Sequence, residues 1–406
     1  MKYEVFTLQN GIRLIHMHTD SRVAHCGMII NAGTRDETIE EHGIAHFIEH
    51  VIFKGTSRRK AYHICSRMED VGGEIDAFTS KENTCIIATF LDRHYERAIE
   101  LISDILFRST FPEKEIIKEK EVIYDEINSY KDSPAELIFD DFEELIFDSH
   151  PIGRSILGSK KTIRKFTQDH IHRFIANNYF SDEMVFCSVG NIRFEKLKKL
   201  ITRYFDGVPA NRRIRQRTRF DSYIPQNKTL SRHTYQAHCI IGNIAYEFDH
   251  DNRLGLGLLS NILGGPGMNS RLNLLLREKH GLVYNVESSY SSYVDTGLIG
   301  IYFGTEKENL EKSIRLIHNE LKRIRTQRLG KLQLHRAKQQ MLGHIAISAD
   351  NNANLLLTLG KSLMLFDKVD SLEEIAEKIE IITASGLMDI ANEIFDPERL
   401  SMLIYK

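Results

Sequence analysis

Gly43-Ile44-Ala45-His46-Phe47-Ile48-Glu49-His50-Val51-Ile52-Phe53 is the stretch on which the reading of this chain turns. On a helix, residues four apart lie one turn apart on one face, so His46 and His50 present their imidazoles to a single point. Glu49, three positions from His46, lies beside the same point and suits proton transfer from a water. The order is H-x-x-E-H, the inverse of the commoner H-E-x-x-H zinc motif. The segment is apolar nearly all round, which predicts a buried helix. Three titratable groups on a buried helix are costly unless paired or metal-bound. Two core histidines satisfied by backbone would explain one of them but not all three residues together. Zinc in a catalytic site takes three protein ligands and keeps one position open. A third ligand is therefore expected from another element.

The helix predicted over Glu115 to Asn128 offers candidates. At about 100° per residue, Glu119 and Glu126 fall about 20° from one another. Ile116, Val122, Ile123 and Ile127 surround them, while Lys118, Lys120, Glu121 and Asp125 point elsewhere. Two carboxylates inside an apolar stripe are anomalous on a solvated face and make sense beside a cation. One would be the ligand and the other would support it through a hydrogen bond. Periodicity does not choose between them, and Glu115, at the stripe's edge, is a weaker rival.

Outward from these helices, short strands alternate with longer helices. Val23 to Ala32, Cys85 to Phe90 and Met184 to Val189 read as strands. Tyr95 to Phe107 reads as an amphipathic helix, and a long helix begins near Pro112, a residue suited to a first turn. The second half repeats the plan. Ala24-His25-Cys26 has an echo at Ala237-His238-Cys239, 213 positions on, and Glu96-Arg97-Ala98-Ile99 at Glu311-Lys312-Ser313-Ile314, 215 positions on. Near-equal offsets predict an internal duplication. The expected division is an N-terminal metal-binding domain over 1–207, a linker over 208–228 and a homologous C-terminal domain over 229–406. The linker's arginine run, Arg212 to Arg219, lacks aromatic interleaving and reads as a solvated interdomain linker rather than a nucleic-acid surface.

Composition narrows the function classes. With 42% hydrophobic and 27% charged residues the chain is globular, not disordered. A net charge of -2 gives no argument for nucleic acid or an anionic membrane. No apolar run approaches the roughly 18 residues that span a bilayer. The first residues, MKYEVFTLQNGIRLIHMH, lack a signal-peptide core and an arginine-rich presequence, and read as strand, turn, strand. Five widely spaced cysteines without a CxxC pair suggest buried free thiols in a reducing compartment. The expected location is the cytoplasm.

Taken together, these motifs resemble the inverted-zincin superfamily of pitrilysin, insulysin and the mitochondrial processing peptidase, most closely its small bacterial processing-peptidase-like branch. The helix block matches at Gly43 to His50. The family's second block matches as Glu119-Lys120-Glu121-Val122-Ile123-Tyr124-Asp125-Glu126, 76 residues from His50 to Glu126. The resemblance implies an α+β fold of two tandem homologous α/β-roll halves, each a mainly antiparallel sheet packed with helices. It assigns His46, His50 and Glu126 as ligands of one Zn2+ per chain, Glu49 as general base and Glu119 as a supporting acid. Val71 to Thr79 resembles the family's substrate-binding edge strand, which implicates Gly73, Ala77, Phe78 and Thr79. Asp76 departs from the pattern, since the family more often has Asn there. His150-Pro151-Ile152-Gly153-Arg154 resembles a family turn. Gly264 to Leu272 and Arg277 to Tyr284 resemble the C-terminal half, in which Arg277 and Tyr284 would hold the substrate backbone. The implied activity is zinc-dependent endopeptidase or oligopeptidase action on extended peptides or unfolded protein inside a dimeric chamber. This chain is half the size of single-chain members, so a homodimer is implied, the Arg and Tyr of one subunit serving the zinc of the other. No nucleic-acid or membrane partner is expected. Two other readings compete: a non-catalytic partner or scaffold subunit, and a binding protein using the histidines structurally. Structural zinc sites are usually closed by four ligands, and no fourth is evident.

Overall fold

Every residue of Met184–Gly190 is buried, so its near-continuous apolar run is not that of a strand with one wet face. In the computed structural model, which describes residues 2–214, 216–232 and 234–406, this strand is β6 of a six-stranded sheet. The others are β1 (Glu4–Thr7), β2 (Arg13–His18), β3 (Val23–Ile30), β4 (Glu74–Thr79) and β5 (Thr84–Leu91). Their order is β1-β2-β6-β3-β5-β4. A second sheet holds β7 (Asn227–Leu230), β8 (Ala237–Ala245), β9 (Val283–Ser292), β10 (Gly297–Thr305) and β11 (Ser401–Tyr405), in the order β7-β11-β8-β10-β9. Apart from β1, the two orders are the same. Each has one parallel pair, β2 with β6 and β7 with β11, and antiparallel pairing elsewhere. The echoed tripeptides stand in the same slot, on β3 and β8, and the second echo begins the helix after β5 or β10. The fold is α+β with two tandem like-folded halves.

The chain divides into two compact units. The first holds residues up to Asn128, Arg154–Thr218 and Ile347–Ser371. The second holds Ser129–Gly153, Arg219–Ala346 and Leu372–Lys406. The continuous spans 1–207 and 229–406 do not coincide with these units: β7 begins at Asn227, and each sheet is covered in part by a helix from outside its span. Helix Pro134–Ile146 packs on β8 and β11 within the second unit, and helix Asn352–Phe366 packs on β6, β3 and β2 within the first. This explains the doubly buried strand. On one face of the first sheet, Ala24, Cys26, Met28 and Ile30 of β3 join a core with Ala45, Phe47, Ile48 and Ile102. On the other, Ile29, Val185, Cys187 and Val189 meet Leu355, Leu356, Leu359 and Leu363. The second sheet is covered likewise, with Cys239, Ile241 and Phe303 facing Leu259 and Leu387, and Ile240 and Leu403 facing Ile138 and Phe142.

Two sequence expectations need revision. The arginine run is not simply solvated. Arg213 pairs with Asp36, and Arg217 Nη2 lies 2.7 Å from Asp36 Oδ2, with the Arg217 side chain only 11% exposed. The run straps this segment onto the first unit through buried ion pairs; Arg215 lies outside the described residues. On the long helix, Val122 is exposed, because its angle on the wheel turns it away from the core. All five cysteines are free thiols, four buried and Cys65 exposed.

Candidate metal centre

The motif helix, Ile44–Val51, starts where Gly43 takes φ 95°, a left-handed backbone that favours glycine. A Cβ there would stand 2.7 Å from Gly158 Cα, so space also demands glycine. The two amides at the helix start are not left to water. Glu37, buried in the preceding loop, accepts from Gly43 N at 2.8 Å and Ala45 N at 2.9 Å. An acceptor of this kind satisfies orphan donors of the helix start. Burial pushes the Glu37 carboxyl up to about 8, against those hydrogen bonds.

From that anchored start, His46 and His50 place their rings 4.7 Å apart. The long helix, Glu113–Lys131, brings Glu126 to both. His46 Nε2 lies 3.7 Å and His50 Nε2 3.5 Å from the same oxygen, Glu126 Oε2. One ligand atom from each of the three residues lies within 4.8 Å of the others. Donors around a tetrahedral zinc, with bonds near 2.05 Å, sit about 3.3 Å apart. The observed spacings approach that value without an ion. Glu126 Oε2 is buried and finds no hydrogen-bond partner among the described residues, an orphan that a cation would satisfy. Two imidazole nitrogens and one carboxylate oxygen suit zinc. The residues therefore fit the metal that the resemblance implies.

Glu119, the other carboxylate of the stripe, faces away from this point. Its Oε2 lies 3.3 Å from His50 Nδ1, the nitrogen on the far side of the ring, and its Oε1 lies 2.8 Å from Lys54 Nζ. Sequence reasoning missed Lys54. The signal was available, since His46, His50 and Lys54 recur every four residues. It also missed Glu37, for which spacing offers no signal, because a loop carboxylate meets a helix start.

Charge at the site is set by burial and by the clustered carboxylates. Burial, then the neighbouring His50, lowers the His46 pKa to about 4, against the pull of Glu126, so the ring is neutral near pH 7. Burial also opposes charging of His50, but the carboxylates of Glu126 and Glu119 reverse it and raise its pKa. His50 in turn holds the Glu126 carboxyl below the usual range. Glu49 is half-buried beside them. Burial raises its pKa, with Asp76 and Glu126 adding to the rise and Thr79 and His50 opposing it. A carboxylate moved toward working pH is a better proton acceptor.

The expected substrate strand is β4, at the edge of the first sheet, paired on one side with β5. Gly73 immediately precedes it. The Ala77 side chain packs into the core, Phe78 packs on the opposite face, and Thr79 Oγ1 lies 3.5 Å from Ala45 O of the motif helix. Ala77 is buried in this strand, while Phe78 and Thr79 are partly exposed. Arg277 and Tyr284 belong to the second unit. Arg277 sits in a π-helical segment, Asn273–Lys279, and lines a cleft of about 270 Å³ with Gly264, Gly265 and Gly267. Tyr284 stands at the start of the edge strand β9 with 73% of its surface exposed.

Comparison with known proteins gives the family. Residues 13–160 match the family model described as insulinase (peptidase family M16), and residues 165–341 match the peptidase M16 inactive domain. The chain is 32% identical to an uncharacterised zinc protease, YmxG, of Bacillus subtilis, over 98% of this chain and 97% of that one. It is 29% identical to the beta subunit of the mitochondrial processing peptidase of Neurospora crassa, over 97% and 85% of the two chains. In fold it resembles a protease from Helicobacter pylori, with a TM-score of 0.90 at 20% identity over 100% of this chain and 99% of that one. The chain belongs to the insulinase family, peptidase family M16.

Proposed function

We propose that this insulinase-family chain is a zinc-dependent endopeptidase or oligopeptidase that hydrolyses peptides bound in extended form, and that it works as a homodimer. The observation that carries the proposal is the convergence of His46, His50 and Glu126, with Glu49 beside them and a free sheet edge next to the motif helix. When bound, zinc supplies Lewis-acid polarisation of a peptide carbonyl and acidifies water. Glu49 accepts the proton from the attacking water and returns it to the leaving amine. β4 binds the substrate main chain by strand addition through the backbone of Gly73, Ala77, Phe78 and Thr79. Arg277 and Tyr284 of a second copy hold substrate carbonyls. Glu119 supports His50. The inactive-domain match lies over residues 165–341, outside the ligand set, and so does not count against catalysis in the first half. With four of five cysteines buried as free thiols, we assign the protein to a reducing cytoplasm; among the described residues no helix is long and apolar enough to cross a membrane.

The deciding experiment pairs metal analysis with a quenched-peptide assay. Glu49→Gln should keep one zinc per chain and lose about 10²–10⁴-fold in turnover, the usual contribution of a positioned proton acceptor. Full activity in that variant would sink the assignment. A wild-type protein that binds zinc but cleaves no peptide would favour the non-catalytic partner reading instead.

A further inference from the structure

We propose that Lys54 is a positioning residue for the zinc site: by holding the Glu119 carboxylate, it fixes His50 with Nε2 toward the metal and Nδ1 toward Glu119. Two columns of side chains carry the inference. His46, His50 and Lys54 recur every four residues, the last just past the helix end, where Lys54 N bonds Val51 O at 3.1 Å. Against them stand Glu126 and Glu119 of the long helix, in the opposite chain direction. The contacts form a ladder. Glu126 Oε2 meets His46 Nε2 at 3.7 Å and His50 Nε2 at 3.5 Å; Glu119 Oε2 meets His50 Nδ1 at 3.3 Å; Glu119 Oε1 meets Lys54 Nζ at 2.8 Å.

Glu119 is the central rung. It is 7% exposed, and a carboxylate that deep needs compensating charge. A metal on His50 Nε2 requires a neutral ring with its proton on Nδ1, and that proton is then donated to Glu119. Such a ring carries no full charge. Among the described residues, Lys54 is then the only side-chain cation paired with Glu119. Without it no side-chain cation holds the Glu119 carboxylate in place and it is free to turn toward water, which frees the His50 ring and weakens its hold on the metal. Hydrogen-bond partners behind a metal-ligating histidine are worth about 10–100-fold in affinity.

The proposal rests on the zinc reading, and the test separates the two. The zinc dissociation constant of purified protein is measured by competition with a chromophoric chelator for wild type, Lys54→Met, Lys54→Arg, Glu119→Gln and the Lys54→Met/Glu119→Gln pair. The melting temperature of each metal-free protein is recorded alongside. Methionine keeps the apolar stem and removes the charge. Lys54→Met should bind zinc about 10–100-fold more weakly, with the metal-free melting temperature within a few degrees of wild type. Lys54→Arg should recover most of the affinity, and the double variant should bind no more weakly than Glu119→Gln alone. Wild-type affinity in Lys54→Met overturns the inference while leaving the zinc site standing. So does an equal drop in metal-free stability that accounts for the whole effect, since Lys54 would then merely tie two helices together. A wild-type protein that binds no zinc overturns the reading beneath it.

Discussion

Ile192 offers His16 only a carbonyl, so the ring nitrogen facing it at 3.0 Å, Nε2, carries the proton. Nδ1 must then accept from the Ser188 hydroxyl at 3.0 Å, and Ser188 in turn accepts from Tyr95 OH at 3.1 Å. The network is complete for a neutral ring and broken by a second proton. Burial lowers the His16 pKa to about 4, against 6.5 for a free histidine. The unfolded chain therefore binds this proton below about pH 6.5, and the folded chain only near pH 4. Stability from this group is fully present above pH 6.5 and is lost as pH falls between those values, by about 3 kcal/mol at most. Urea denaturation of wild type should show that loss, and His16→Gln should flatten the slope over the same window; an unchanged slope would refute the account. The metal residues show what single positions reveal to sequence reading. Spacing places His46 and His50 on one face because it encodes angle. It leaves Glu119 and Glu126 undivided, because they differ by distance to the imidazoles and not by angle. Val122 is a different case: its angle on the wheel sets it at the outer edge of the stripe, where it is exposed.

At the scale of elements, strands such as Val23–Ile30, Thr84–Leu91 and Met184–Gly190 and helices such as Tyr95–Arg108 and Glu113–Lys131 were legible, and helix Pro134–Ile146 and the helices of the last sixty residues, with their partners, were not. Helices Pro134–Ile146 and Asn352–Phe366 each show an apolar face, but a face does not say which sheet it covers. The last sixty residues carry no motif, yet Leu355, Leu356, Leu359 and Leu363 supply the second cover of the first sheet. Gly360 lies on that covering face. A Cβ at this position would stand 2.2 Å from Cys187 Sγ and 2.5 Å from Ile29 Cδ1. Glycine is a poor helix former, by about 1 kcal/mol against alanine, so its presence here reflects how closely helix and sheet approach. Gly360→Val should lower stability by about 1–3 kcal/mol through overpacking, read as a lower urea midpoint. Adding Cys187→Ala, which removes the nearest atom, should restore part of it. A Gly360→Val protein as stable as wild type would mean that the helix does not seat this closely. The arginine strap teaches a related point: Arg213 and Arg217 read as solvated because their partner, Asp36, lies far away in sequence.

For the whole molecule, duplication and specialisation go together. Carrying the 213-residue offset forward from His46, Glu49 and His50 leads to Leu259, Ile262 and Leu263. Leu259 and Leu263 are buried in the core of the second unit, so the copied helix spends on packing the positions that its counterpart spends on metal. The second half instead presents Arg277 and Tyr284. If these serve the zinc of a partner chain, two differently disabled chains should repair each other. Glu49→Gln lacks the base but keeps Arg277 and Tyr284; Arg277→Ala keeps the whole metal site. Each alone should be nearly inactive. Paired at random in a two-fold dimer, half the dimers are mixed, and each mixed dimer has one complete site, so a one-to-one co-expression should recover roughly a quarter of wild-type activity. Two affinity tags isolate the mixed dimer, whose activity should be about half that of wild type. The defects segregate cleanly only if sites are shared: were each chain to use its own Arg277, a mixed dimer would hold one site without a base and one without an arginine. A verified mixed dimer that stays inactive would therefore reject sharing between subunits, and an Arg277→Ala homodimer with full activity would remove Arg277 from the reaction altogether.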